Sequence, residues 1–184
     1  MRFHETPLQG AFVIDIEPRP DTRGFNARTW CARQFEQHGL VSHVMQTNLL
    51  YNRTRGTLRG LHFQDAPKAE AKVFRCVRGA VYDVIVDMRP RSATYRQWWS
   101  VCLTAASRQM LYVPPMFAQG FMTLEDDTEL MYQTSELYSP EYEVGIRYDD
   151  PAFGITWPFA PVVISDKDRS WPDYAPALVA GGRQ

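Results

Sequence analysis

The sequence predicts an all-β protein, an antiparallel sandwich or jelly-roll barrel with one or two short helices, on three observations. From Val41 to Thr134, apolar and polar residues alternate with a period of two in short runs rich in Val, Tyr, Phe, Trp and Leu. Turn signals recur at steps of about 10 residues, the spacing of an all-β domain. Helical periodicity is confined to one stretch, so the βαβ alternation of a parallel sheet is missing.

In chain order, Ala11 to Ile16 reads as a strand, closed by Glu17-Pro18-Arg19-Pro20, whose prolines cannot donate to a central ladder. Asp21-Thr22-Arg23-Gly24-Phe25 reads as a turn, with Gly24 free to take positive φ and Arg23 presented outward. Trp30, Arg33, Phe35 and His38 fall near helical spacing, which predicts a short helix over Trp30 to His38, capped by Thr29 and stopped by Gly39. The predicted strands that follow are His43 to Leu50, Thr57 to Gln64, Ala71 to Val77, Ala80 to Met88, Gln97 to Leu103, Gln109 to Val113, Gly120 to Leu124 and Glu129 to Thr134. Arg78-Gly79, Arg89-Pro90-Arg91-Ser92, Ala105-Ala106-Ser107 and Glu125-Asp126-Asp127 punctuate them. The pattern loosens after Ser135, which predicts a tail over 136–184 laid on a barrel core of about 41–135, with Ala177 to Gln184 frayed. At 184 residues the chain fits one domain.

Composition excludes several function classes. A net charge of −1 supplies no field for nucleic acid or a membrane surface, so phosphate binding must come from locally placed arginines. The three cysteines, Cys31, Cys76 and Cys102, lack CxxC spacing, which argues against a disulfide framework and a structural zinc; Cys76 and Cys102 read as buried strand residues. The N-terminus lacks the apolar core of a signal peptide, and no run approaches the ~18 apolar residues of a membrane span, so the expectation is a cytoplasmic protein.

Of four histidines, only His62 lies in a strand-like run beside an arginine and a glycine, Gly-Thr-Leu-Arg-Gly-Leu-His-Phe-Gln over 56–64. A strand-end histidine is more often merely hydrogen-bonded than reactive, yet the other three sit close to the N-terminus and offer few substitutes for a base near pH 7. Gln64 follows in place of a second histidine, and the turn Val113 to Phe121 carries Gln119, so a three-nitrogen metal site cannot be assembled; no metal and no cofactor is expected. Proton transfer between a base and an opposed acid remains, with His62, Tyr132, Lys72 and an aspartate as candidates. Lys72 shares a strand face with Phe74 and Cys76, where an unpaired ammonium is costly unless it meets a partner or ligand. Alternation places Arg59 and His62 on opposite faces unless a bulge at Gly60 intervenes.

With those residues in hand, the chain resembles the dTDP-4-dehydrorhamnose 3,5-epimerases of the cupin superfamily. The matching pieces are Asp21-Thr22-Arg23-Gly24-Phe25, Gln46-Thr47-Asn48, Leu58 to Gln64, Ala71-Lys72, Arg78 to Val84, Val113-Pro114 with Gly120-Phe121, Tyr132, Gly145 to Pro151 and Ile164 to Asp168, in order from about residue 7 to 170. The resemblance implies a metal-free cupin jelly-roll homodimer acting on a nucleotide-diphosphate-linked 4-keto-6-deoxyhexose. It implies His62 as general base oriented by Asp168, Tyr132 as acid on the opposite face of the sugar, Lys72 near the 4-keto oxygen, and Arg23 and Arg59 near the diphosphate. Substrate contacts from Phe25, Arg28, Gln46, Asn48, Gln119, Tyr138 and Glu143 are implied as well. Three residues depart from the family pattern: Gln119 stands where a histidine is usual, Arg28 where a glutamate near the nucleotide base is expected, and Gln133 where lysine is common. The first two open the reading of a single-centre epimerase, or of one acting on another nucleotide or a heptose. A 3,4-ketoisomerase and a non-catalytic sugar-nucleotide binding barrel are the competing classes.

Overall fold

The structure, a computed structural model, describes residues 1–175; the expectation for Ala177 to Gln184 lies outside the described residues. Its elements are β1 (Arg2–Glu5), β2 (Phe12–Asp15), β3 (Arg19–Asp21), β4 (Gly24–Asn26), α1 (Ala32–Gln37), β5 (Gln46–Asn52), β6 (Thr57–Gln64), β7 (Lys72–Arg78), β8 (Ala80–Asp87), β9 (Trp98–Thr104), β10 (Met110–Val113), β11 (Phe117–Thr123), β12 (Thr128–Thr134), β13 (Glu143–Gly145), β14 (Val163–Ile164) and α2 (Asp166–Arg169). One sheet runs β1-β2-β10-β7-β12-β5 and the other β13-β6-β11-β8-β9, with β14 also on β6 and β3-β4 a separate hairpin. Apart from the parallel β14–β6 pair, every pairing is antiparallel. This is the all-β jelly-roll sandwich that the period-two runs predict.

Three apolar layers explain the runs. Between the sheets lie Phe74, Cys76, Val81, Ile85, Leu103, Leu111, Phe117, Phe121 and Leu130. On the outer face of the second sheet, Leu61, Phe63, Val84, Val86 and Ala118 pack under Ile146, Phe153, Trp157 and Tyr174 from the C-terminal segment. On the outer face of the first, Val73, Met110 and Tyr112 pack under Phe35 of α1 and Phe3. Strands β10 and β11 are therefore buried at every position, and β10 reads as a continuous apolar run. Edge strand β5 instead alternates, with Leu49 and Tyr51 exposed. Each fully buried side chain such as Phe117 or Leu111 contributes about 1.5–3 kcal/mol of transfer free energy.

Several expectations need correction. The strand predicted to begin at Gly120 begins at Phe117, so Gln119 lies within β11 rather than on a turn. The helix is shorter than predicted and starts after Cys31, which makes no side-chain cap; Thr29 is not the capping residue. Cys102 is exposed on β9, whereas Cys76 is buried. The turn expected over Asp21 to Phe25 is present as the tip of the β3–β4 hairpin, with Gly24 at φ +138° and Arg23 exposed. Beyond Ser135 the chain adds β13 and β14 to β6, and α2 follows directly. Among the described residues no helix is long and apolar enough to cross a membrane.

Candidate active site

A cavity of about 520 Å3 opens between the sheets. The first sheet lends it Leu50, Lys72, Phe74 and Tyr132; the second lends Arg59, His62, Gln119 and Phe121; the C-terminal segment lends Ser165, Lys167 and Asp168. His62 and Tyr132 thus line one cavity from opposite sheets. An adjoining cavity of about 450 Å3 shares His62, Lys72 and Tyr132 and extends along Gln46, Asn48, Glu70, Tyr138 and Glu143.

The bulge at Gly60 puts Arg59 and His62 on the same wall. His62 pairs with Gln119 and Arg59 with Phe121, so three steps along β6 match two along β11 and strict alternation is broken. Gly60 takes φ +106° at that point, and a Cβ there would lie 2.6 Å from both the Gln119 carbonyl oxygen and the Gly120 Cα. Only glycine fits so close a backbone approach. The Arg59 Nε donates to the Asn52 Oδ1 at 2.8 Å, which holds the guanidinium on the cavity side.

The parallel pairing of Val163 and Ile164 with Thr57 and Leu58 carries the chain into α2 alongside β6. Ser165 caps that turn by accepting from the Asp168 N–H at 3.1 Å. Asp168 is buried, with its Oδ1 2.6 Å from the His62 Nε2 and its Oδ2 accepting from the Gly60 N–H at 3.2 Å. Burial pushes its pKa up, but the His62 contact and the Gly60 and Ser165 hydrogen bonds outweigh it and hold the carboxyl below the ordinary aspartate value. A carboxylate on Nε2 fixes the proton there and leaves the Nδ1 lone pair free. The Glu143 Oε1 lies 3.7 Å from that Nδ1. Glu143 is itself held by Lys167, at 2.5 Å, and by the Tyr138 hydroxyl, at 2.7 Å. Burial raises its pKa, but these two hydrogen bonds, with the His62 and Lys167 charges, outweigh it and hold the carboxyl below the ordinary glutamate value, so it stays ionised.

Lys72 finds the partner that an ammonium on an apolar face requires. Its Nζ is 3.0 Å from the buried Glu70 Oε1 and donates to the His62 carbonyl at 3.0 Å. Tyr132 stacks on Phe74, with ring centroids 4.7 Å apart and planes 9° apart. Burial raises its pKa, with the Arg59 charge opposing, so the phenol is protonated at neutral pH. Trp171 meets the His62 ring edge-on at 6.4 Å.

The structure brings His62, Tyr132, Asp168, Lys72, Arg59 and Gln119 to one cavity, and Gln46, Asn48, Tyr138 and Glu143 to its extension. Arg23, Phe25 and Arg28 line neither. Arg23 is exposed and paired with Asp21, Phe25 lies under the Arg108 guanidinium, and Arg28 lines a separate cleft with Glu17 and Arg19. Sequence reasoning missed Glu70, Asn52 and Asp83. Their available signal was a polar residue inside an apolar strand, or next to one, which calls for a buried partner. Among the described residues no group of three or more His, Cys, Asp or Glu side chains could hold a metal ion.

A half-buried imidazole on a carboxylate, facing a protonated phenol and an ammonium across an apolar-walled cavity, defines a β-barrel enzyme of the proton-transferring, isomerase class. The dTDP-4-dehydrorhamnose 3,5-epimerase family matches residues 5–175. The dTDP-4-dehydrorhamnose 3,5-epimerase of Methanothermobacter thermautotrophicus is 42% identical over 173 residues, 92% of each chain. A dTDP-4-dehydrorhamnose 3-epimerase from Streptomyces niveus is 36% identical over 182 residues, 98% of this chain and 87% of that one. The crystal structure of the 3,5-epimerase from Bacillus anthracis, with TDP and PPi bound, superposes with a TM-score of 0.89 at 38% identity, covering 94% of this chain and 99% of that one. The chain belongs to the dTDP-4-dehydrorhamnose 3,5-epimerase family and is an epimerase.

Proposed function

We propose that this enzyme inverts C3, C5 or both in a nucleotide-diphosphate-linked 4-keto-6-deoxy sugar, in the biosynthesis of deoxysugars for surface polysaccharide. The observation that carries the proposal is that His62 and Tyr132 line one cavity from opposite sheets, with Asp168 on the imidazole and Lys72 on the Tyr132 side.

A ketone at C4 acidifies the hydrogens on C3 and C5. The Nδ1 of His62 removes one, the C–H electron pair moves into the ring as an enolate, and the charge rests on the C4 oxygen. Lys72, at the start of β7, stabilises that oxygen, and Asp168 stabilises the imidazolium. The Tyr132 hydroxyl returns a proton to the other face, inverting the carbon, and the imidazolium and phenolate re-equilibrate with solvent. The raised pKa of Tyr132 suits a donor that must be protonated at the outset. Arg59 serves the diphosphate, and Gln46, Asn48, Tyr138 and Glu143 serve the rest of the nucleotide sugar.

A homodimer accounts for Arg23, Phe25 and Arg28, which lie off the cavity of their own chain. The β3–β4 hairpin projects with Phe25 45% exposed, and edge strand β5 presents Leu49 and Tyr51 to a second copy. The hairpin then serves the partner's cavity, and light scattering should return twice the chain mass. A single-domain chain and free cysteines suit a cytoplasmic enzyme.

Gln119 and the resemblance to a 3-epimerase favour single-centre inversion as the second reading. The test is incubation in D2O with 4-ketosugars on thymidine, cytidine and guanosine diphosphates. Deuterium at C3 and C5 supports double inversion, at one of them the single-centre reading, and saturable binding without exchange on any substrate overturns the function.

A further inference from the structure

Glu70 lies in the connection between β6 and β7, 7% exposed, with both carboxylate oxygens engaged. Its Oε2 accepts from the Gln64 N–H at 3.1 Å, and its Oε1 lies 3.0 Å from the Lys72 Nζ. Gln64 ends β6, two residues past His62, and the His62 carbonyl takes a second N–H of the same ammonium at 3.0 Å. These four groups close a ring that joins β7 of the first sheet to β6 of the second. An ammonium has three N–H groups. Two belong to this ring, and Lys72 lines both cavities, so the third is left for what occupies them.

We infer that Glu70 is a positioning residue for the proton transfer: its carboxylate, anchored on the β6 backbone, aims the Lys72 ammonium so that the third N–H meets the C4 oxygen where the enolate charge collects. The inference rests on the epimerase reading, from which Lys72 takes its place beside that oxygen. Lysine carries its charge on a flexible four-carbon stem, so a free Nζ would spread over several positions, and a misplacement of about 1 Å costs up to about 100-fold in rate. The His62 carbonyl alone is a neutral acceptor, whereas a carboxylate supplies the countercharge that an ammonium needs away from water. The C4 ketone is neutral when the substrate binds and charged only once the C–H bond breaks, so the effect belongs to kcat rather than to KM.

The experiment uses Glu70→Gln, which keeps the length and volume of the side chain and removes its charge. An amide has a single acceptor oxygen, so it can hold the Gln64 N–H or the ammonium but must turn its NH2 group on the other. On a nucleotide 4-keto-6-deoxyhexose that wild type exchanges, kcat for solvent deuterium uptake should fall about 10- to 100-fold, the worth of a hydrogen bond to a charged group, with KM held to within about twofold. The Kd of the free nucleoside diphosphate, which has no C4 oxygen to meet Lys72, should also stay within about twofold. A kcat within about twofold of wild type overturns the inference. A fall in kcat that comes with a matching rise in KM, or with loss of nucleoside diphosphate binding, overturns it as well, because Glu70 would then hold the fold rather than aim the ammonium. No deuterium uptake by wild type from 4-ketosugars on thymidine, cytidine or guanosine diphosphate would sink the epimerase reading instead.

Discussion

Replacing Gly60 by alanine tests the step on which the geometry of the cavity depends. An L residue at φ +106° costs about 1–3 kcal/mol in backbone strain. The added Cβ would lie 2.6 Å from both the Gln119 carbonyl oxygen and the Gly120 Cα, backbone atoms that cannot swing aside, and overpacking of this kind costs a further 1–3 kcal/mol or so. Together these give a loss of about 2–6 kcal/mol, against a total stability of about 5–15 kcal/mol for a domain. Guanidinium unfolding monitored by tryptophan fluorescence reads the loss. The chain can escape it only by moving β6 away from β11, which carries Arg59 and His62 apart, so KM for the nucleotide sugar should rise at least about tenfold in whatever folds. Gly154→Ala is the control: φ is +61° there and nothing stands within 4 Å of the added carbon, so only about 1 kcal/mol should be lost. If Gly60→Ala matched that control in stability and kept its KM, the bulge would not be what brings the two side chains together.

Asp168→Asn should lower kcat about 10- to 100-fold with little change in KM, because a charge-assisted hydrogen bond to the base is worth about 1.5–3 kcal/mol; a steady-state comparison showing KM alone affected would contradict the orienting role. Gly145→Ala should mimic it indirectly. An added Cβ would lie 1.9 Å from the Trp171 ring, three residues beyond Asp168, so activity should fall although residue 145 touches no substrate; a crystal structure with Trp171 unmoved would refute this. Asp83→Asn should change the pH dependence of stability. Burial raises the Asp83 pKa from 3.8 to about 7, with Gln119 and Lys72 opposing. The folded state then keeps a proton that the unfolded chain releases, so this group's contribution is full below about pH 4 and is lost as pH rises towards 7. At about 1.4 kcal/mol per unit the loss is on the order of 4 kcal/mol, so the variant should gain on wild type between pH 5 and 8 in urea unfolding; parallel curves would refute it.

Most of the sandwich was legible because its central strands are long and periodic. Strands β6, β7, β8 and β12 coincide with predicted runs to within a residue or so. The pieces that were not legible are short or exposed. Strands β1, β3, β4, β13 and β14 hold four residues or fewer, too few to express a period. Arg59 and His62 illustrate a different limit. Alternation separates them, and their reunion depends on a positive φ at Gly60 and on Gly120 across the ladder, a pairing that the sequence of β6 alone does not contain. Asp168 reaches His62 across 106 positions through a parallel two-residue strand, which is invisible to any local pattern. Lys72 was read as requiring a partner, and the partner is Glu70, two residues earlier; the requirement followed from desolvation and its identity from the turn before β7.

The central claim is that one imidazole removes a proton from one face of the sugar and one phenol returns a proton to the other. It is tested most directly by following deuterium uptake and inversion together, in D2O, for wild type, His62→Ala and Tyr132→Phe. His62→Ala should abolish both while still binding substrate, and Tyr132→Phe should take up deuterium faster than it inverts, because the enolate forms but is reprotonated from the face it left. Uptake that survives in His62→Ala, or uptake and inversion falling in step in Tyr132→Phe, would contradict that division of labour.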